Sequence, residues 1–216
     1  RNSYPGFRKM SWNTICIMNN YLLINNAKSL MQTILPNNKA LQSISPIFFN
    51  PQKSLIKYLK NRNLIVQPIS NDLLIWNKVN NEFSIHFSTK QLVWKLDYKR
   101  LQCLGVKDKN DNLLATCIYG ISKYKDQKIV YINRLEFSSN DNISEKVVLA
   151  SLTDYLLTTY PDTAFIRVWV KPDDRYNKLF KRLLFFKTKH PNPFIIKKMS
   201  DKKMDYRWNI SCLDLD

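Results

Sequence analysis

From residue 101 to the C-terminus, hydrophobic and polar positions alternate in well-marked blocks; before it the pattern is looser. Residues 101–106 form a short apolar run that ends at a Lys-Asn-Asp-Asn turn, residues 109–112, of hairpin type. Residues 113–124 read as a long strand, 124–127 as the next turn and 128–138 as a third strand. A helix is expected next. Asn142 stands as its N-cap with Glu145 at the third following position, and Val148, Leu152, Tyr155 and Leu156 share one face. Pro161 stops it. Residues 164–170 then form a strand with Phe165, Arg167 and Trp169 on one face and Ile166, Val168 and Val170 on the other. Pro172 and Asp173 open a second helix with Tyr176, Leu179, Phe180 and Leu183 as its buried stripe. Strands over 185–189 and 194–199 flank a His-Pro-Asn-Pro turn, and a last strand is expected over 207–213.

The first hundred residues divide less cleanly. Residues 12–18 alternate in the manner of a strand, and 22–35 fit strand or helix, with Leu30, Met31, Ile34 and Leu35 at helical spacing. Residues 43–51 contain two prolines and read as a connection. A helix should begin there, with Asn50 as N-cap, Pro51 at its first position and Leu55, Ile56 and Leu59 as its stripe. Residues 64–69 and 73–76 are short strand candidates, and Ser88 or Thr89 caps a brief helix carrying Leu92, Val93 and Leu96.

The order in the second half is therefore three hairpin-linked strands, helix, strand, helix and terminal antiparallel strands. One helical crossover in such a series predicts a single parallel pair in an otherwise antiparallel sheet. That pair can part into a ligand crevice beside the helix N-terminus.

Composition narrows the chemistry. The chain holds only three glycines, Gly6, Gly105 and Gly120, which excludes a Walker loop and a dinucleotide fingerprint. Its four cysteines lie far apart and its histidines are only His86 and His190, so no metal site is expected and the thiols read as buried and reduced. Two histidines also offer no Ser-His-Asp or Cys-His arrangement for a hydrolase. No apolar run approaches the roughly 20 residues of a membrane span, and no secretory signal is present, so a cytoplasmic location is expected. The net charge of +17 allows an anionic partner, but the lysines are dispersed along a chain rich in Asn, Ile and Lys, as on a solvated surface.

Several residue clusters carry a resemblance. Thr89–Lys95, Thr-Lys-Gln-Leu-Val-Trp-Lys, is similar to a Thr-x-x-Leu-x-Trp-Arg helix. The hairpin near Asp108 fits the step from a first to a second core strand. Trp-Asn-Ile-Ser-Cys-Leu-Asp-Leu-Asp at 208–216 resembles a Trp-x-x-x-x-x-Asp-x-Asp ending, and Tyr4-Pro5-Gly6-Phe7-Arg8 resembles the close of an upstream half. Together these resemble the GNAT (GCN5-related) N-acyltransferase superfamily, in particular the C-terminal domain of bacterial tandem-GNAT proteins linked to surface-polysaccharide synthesis. The resemblance implies a GNAT-like α/β (α+β) fold: a mixed, mostly antiparallel sheet with one parallel splayed strand pair and flanking helices. Residues 1–45 are then the tail of an upstream GNAT half plus linker, and 46–216 the acyltransferase domain.

The resemblance also implies an acyl-CoA-dependent N-acyltransferase, with acetyl-CoA or another acyl-CoA as donor and an amine such as an amino sugar as acceptor. Its cofactor segment would be Phe137, Ser138, Ser139, Asn140, Asn142, Ile143 and Ser144, where the family's glycine-rich pyrophosphate loop is replaced and Asp141 adds a negative charge. Glu136 is the candidate base, or else an exposed strand glutamate paired with Arg134 or a neighbouring lysine. The family's Leu-Tyr-x-Lys-x-Gly-Phe helix ending corresponds to Leu179–Phe185, with Phe180 for the tyrosine acid and Leu184 for the glycine. Tyr176, one turn earlier, can stand in as catalytic acid or serve as a core aromatic. Arg167 and Trp169 either line an acceptor cleft or pack beneath the second helix. Two other readings stay open: a GNAT-like binding or scaffold domain that has lost catalysis, and a basic nucleic-acid-binding protein.

Overall fold

A computed structural model describes residues 12–34, 37–75, 82–84, 89–124, 127–138, 143–172, 174–188, 192–197 and 207–209. The second-half elements follow the expected order: β4 (Gln102–Lys107), β5 (Leu113–Tyr124), β6 (Gln127–Phe137), α4 (Glu145–Thr159), β7 (Phe165–Val170), α5 (Tyr176–Arg182), β8 (Phe186–Lys187), β9 (Asn192–Lys197) and β10 (Arg207–Asn209); α5 starts at Tyr176 rather than at Pro172, and β9 takes in Asn192 and Pro193 of the expected turn. Before them come β1 (Trp12–Ile24), α1 (Ala27–Ile34), α2 (Lys39–Leu59), β2 (Ile65–Pro68), β3 (Glu82–Ser84) and α3 (Thr89–Lys99). The β4–β5 turn is held by Asp108, whose Oδ1 accepts the amides of Asn110 and Asn112.

Three local expectations are corrected. Residues 43–51 are not a connection: they lie inside α2, which starts at the N-cap Asn38, whose side chain accepts the Leu41 amide. Pro46 is tolerated within it because the carbonyl its missing N–H would have used, that of Gln42, accepts the Ser45 hydroxyl at 2.9 Å instead. Residues 73–75 are not a strand; a 3₁₀ turn, Asn71–Leu73, takes their place. The helix α4 is capped at Ser144; Asn142 lies outside the described residues.

The main sheet has the order β2-β4-β5-β6-β7-β1, with β8 and β9 both on the far edge of β1. Among the described residues only β6 and β7 run parallel in it, joined by the α4 crossover. The unforeseen feature is β1. This N-terminal strand inserts antiparallel between β7 and the C-terminal strands, so elements far apart in sequence become neighbours. A separate parallel pair joins β3 to β10.

The core lies between the sheet and α4. Val148, Leu149, Ala150, Leu152 and Leu156 are all buried, so α4 is enclosed on more than its sheet-facing stripe. Its outer side is covered by α2: Ile56 is buried in the same cluster, Asn61 N–H donates to Ser151 Oγ, and Lys60 pairs with Asp154 at 2.8 Å. Buried Gln52 on α2 accepts the Ile24 amide of β1 and donates to the Leu184 carbonyl.

Leu184 sits at φ 60°, just past α5, where Phe185 N–H bonds back to Phe180 O and Leu184 N–H to Lys181 O. That is the left-handed closing position at which glycine is favoured. Leu184→Gly is therefore expected to raise the unfolding free energy by about 1 kcal/mol in urea denaturation. A loss instead would show that the half-exposed leucine side chain contributes more by packing than its backbone costs.

Candidate functional site at the splayed strands

The parallel ladder of β6 and β7 is short. It pairs Ile129 with Phe165 through to Ile132 with Val168 and goes no further. Beyond that point β6 continues on β5 to Phe137, and β7 continues on β1 to Val170. The parting coincides with an irregularity in β6: Ile132 faces Tyr119 and Arg134 faces Ile118, leaving Asn133 as an extra residue. A bulge of this kind bends its strand and raises the local twist, which turns β6 away from β7. Either side of it Val130, Ile132, Leu135 and Phe137 keep facing the α4 core, while Arg134 and Glu136 face the opposite side of the sheet.

Two sequence candidates meet at the open end. Glu136 is mostly buried, with its side chain 13% exposed, and its Oε1 accepts Arg134 Nε at 3.0 Å and Nη2 at 2.9 Å. Of the two readings of Glu136, the paired one describes this geometry, and the pair is buried rather than exposed. Tyr176 packs edge-on against Phe137, with ring centroids 5.6 Å apart. Burial pushes its phenol well above the ordinary tyrosine range, and the nearby Glu136 carboxylate pushes it further. Arg175 lies over the Tyr176 ring at 5.4 Å and pairs with Glu145 of α4 at 2.8 Å.

The placement of Tyr176 is set by its neighbour. Asn177 Oδ1 accepts from Asn19 Nδ2 (2.8 Å) and Tyr21 Oη (3.1 Å) of β1, while its Nδ2 donates to the carbonyls of Lys171, Pro172 and Asp174. This one buried amide clamps the β7–α5 loop to β1. Phe180, at the position of the family tyrosine, is enclosed between Tyr21 and Phe185 and belongs to the core.

Arg167 and Trp169 sit together on the other flank, lining a cavity of about 260 Å³ with Asn133, Tyr131, Ser122 and Lys99. The Arg167 guanidinium lies 4.8 Å from the Trp169 ring centroid, and its Nε donates to Asn20 Oδ1 at 3.1 Å. Neither residue packs beneath α5; both face the side of the sheet that carries Tyr131 and Lys99. The position of the Tyr131 ring depends on Gly120: a Cβ there would come within 2.6 Å of it. Asn133 and Tyr131 were missed from sequence. The available signal was the spacing of core residues 130, 132, 135 and 137, whose slip from two to three marks a bulge.

No protein-family profile matches the chain, and no curated protein is similar to it in sequence. Solved structures do match. Saccharomyces cerevisiae N-myristoyltransferase with bound myristoyl-CoA is 11% identical, with 94% of this chain and 57% of that one covered and a TM-score of 0.54. A GCN5-related N-acetyltransferase from Anabaena variabilis is 8% identical, with 90% and 43% covered and a TM-score of 0.45. The chain carries the GNAT fold. A Staphylococcus epidermidis protein of unknown function is a further match, 8% identical over 86% of this chain and 62% of that one, at a TM-score of 0.48. This chain thus spans less than two thirds of the length of each of these proteins.

The segment that the sequence resemblance offers for a cofactor runs from the end of β6 into α4. Here the Phe137 side chain is buried in the core and the Ser138 amide donates to Leu114 O at 2.8 Å, so neither side chain nor amide faces a ligand. Ile143 packs against the core cluster, and Ser144 heads α4 without a side-chain capping bond. Ser139, Asn140 and Asn142 lie outside the described residues. Among the described residues no side chain caps the amides at the start of α4, and the adjacent Glu145 is matched by Arg175.

Proposed function

We propose that the chain is the part of an acyl-CoA-dependent N-acyltransferase that brings acyl donor and acceptor amine together, the acceptor being an amine such as an amino sugar. The observation that carries this reading is the parting of β6 and β7 at Asn133, beside a buried carboxylate and a phenol that retains its proton. The residues present fit an acyl-CoA. The edge of β6 released from β7 would take the pantetheine arm, and the first-turn amides of α4 the phosphates. Such a donor supplies its acyl group as a thioester open to direct attack by an amine. Residues 1–45 are proposed as the tail of an upstream GNAT half, whose strand β1 completes this sheet.

The residues then take distinct parts. An amine arrives as an ammonium near neutral pH and has to lose a proton; Glu136 is the carboxylate placed to receive it, with Oε1 oriented by Arg134. Tyr176 holds its proton and so offers a hydrogen-bond donor.

Acetyl-CoA at about 100 times its Kd is expected to stabilise the protein by about 2.7 kcal/mol in a thermal-shift titration. Glu136→Gln should keep that shift while lowering transfer to an amine by about 10²-fold or more. The tight Arg134–Glu136 pair favours a second reading, in which the domain binds but no longer catalyses. A CoA shift with no transfer, unchanged by Glu136→Gln, would select it. No shift together with steeply salt-dependent binding to random DNA would instead favour a nucleic-acid partner for the basic surface.

A further inference from the structure

The first acidic residue of the chain is Asp72: residues 1–71 contain nine Lys or Arg and no Asp or Glu. Helix α2 lies within that stretch and forms the outer layer over α4 and the sheet. Its inward face is Gln42, Ser45, Gln52 and Ile56, all buried. Its outward face is not the polar surface that such a helix ordinarily turns to water. Ala40, Ile44, Ile47, Pro51 and Tyr58 follow one another at steps of three, four or seven residues, and all are exposed, Ile47 to 69% and Tyr58 to 85%. They form an apolar ridge about 27 Å long. Single exposed apolar side chains are ordinary, but a continuous ridge marks a contact surface.

Cations run beside the ridge. Lys39, Lys53 and Lys57 share the neighbouring flank of α2, and none of the described ion pairs uses them. Burial and the charge of Lys57 both hold the Lys53 ammonium below the ordinary lysine range. This chemistry decides what covers the ridge. A second copy of the chain would set an acid-free surface against itself, which like charges oppose. A nucleic acid would meet the lysines and leave the isoleucines in water. A protein partner seats its anchors in pockets, whereas this ridge is a convex strip on one helix. Apolar and cationic strips side by side match the boundary of an anionic bilayer, with acyl chains beneath one and phosphate headgroups beside the other.

We propose that the outer face of α2 docks the protein on an anionic membrane surface, with Ile44, Ile47 and Tyr58 entering the headgroup boundary and Lys39, Lys53 and Lys57 meeting lipid phosphates. The helix lies along that surface; among the described residues no helix is long and apolar enough to cross it. The proposal stands apart from the acyl-transfer reading. Because α2 and the cavity of Arg167 and Trp169 lie on opposite faces of the sheet, a docked chain keeps that cavity turned to the aqueous side.

Flotation of the chain with lipid vesicles provides the test. Vesicles of equimolar phosphatidylglycerol and phosphatidylcholine should carry the protein upward, and phosphatidylcholine alone should not. Ile47→Asp, and separately Ile44→Ser/Ile47→Ser, should weaken the partitioning by about tenfold or more. Lys57→Gln should weaken it by about fivefold. All these side chains are exposed, so urea denaturation should find the variants as stable as the parent. Should Ile47→Asp fail to fold, the serine pair and Lys57→Gln still decide. The isoleucine variants separate docking through α2 from adsorption by the general charge of +17, which they would leave intact. No flotation with the anionic vesicles, equal flotation with phosphatidylcholine alone, or binding unchanged in the folded isoleucine variants overturns the proposal. So does a lipid-free dimer in sedimentation that Ile47→Asp dissolves, which would assign the ridge to a second copy.

Discussion

Replacing Phe180 by alanine is expected to lower the unfolding free energy by about 3–5 kcal/mol. The ring is 1% exposed, stacks on Tyr21 of β1 with centroids 6.0 Å apart, and meets Phe185 edge-to-face at 5.0 Å. It therefore joins α5 to the inserted strand and to the turn after the helix, and the cavity left by its removal would be bounded by three elements that cannot all collapse inward. Urea denaturation monitored by tryptophan fluorescence measures the loss. A cost below about 1 kcal/mol would mean that α5 can settle onto β1 without the ring. The same enclosure accounts for phenylalanine where the resembled family has tyrosine: this position faces the core, and the phenol of Tyr176 lies at the site instead.

The second large effect concerns the buried ion pair. Arg134→Met is expected to destabilise the protein by about 3–5 kcal/mol, because a mostly buried carboxylate at Glu136 loses the two guanidinium N–H groups that hold its Oε1. The double variant Arg134→Met/Glu136→Leu should recover most of that loss, since no charge is then left in the low-dielectric site. A double-mutant cycle in denaturant separates the pair from its surroundings. If the single variant costs less than about 1 kcal/mol, the pair is screened like a surface one. Under the acyltransferase proposal the double variant should be folded and inactive, which separates the role of Glu136 in proton transfer from its role in holding β6.

Much of this architecture could be read along the chain because its signals are local. The Asn-rich turn at 109–112, the length of the strands on either side of it and the proline that follows α4 each act within a few residues, and β4, β5, β6 and α4 fall where those signals put them. The crossover rule then made the β6–β7 pair parallel without any further information. Where signals competed, the reading failed. Prolines 46 and 51 announced a break, but burial of Ile56 and Gln52 against the core and the Ser45 hydroxyl on the Gln42 carbonyl hold one long helix through them. Leu184 could be recognised as standing in for a glycine, but only the backbone shows that the left-handed turn persists regardless.

The candidate site divides in the same way. The two-residue period put Arg167 and Trp169 on one face of β7, and the family resemblance offered Glu136 and Tyr176; the structure gathers them into two clusters along β6. No local signal could announce that β1 would enter between β7 and the C-terminal strands, because strand pairing is decided by which edges remain open once the rest has packed. That insertion supplies Asn20 to orient Arg167 and Asn19 and Tyr21 to anchor the loop before Tyr176. By itself, then, the sequence determined the order of the elements, the parallel β6–β7 pair and the residue types at its mouth, all products of short-range periodicity and turn chemistry; the second parallel pair, β3 with β10, was not foreseen. Only the tertiary structure decided that Glu136 is held by Arg134 and that Asn133 bulges where the strands part. Each of these depends on side chains brought together from strands distant in the chain, where burial makes an unmatched charge or donor costly.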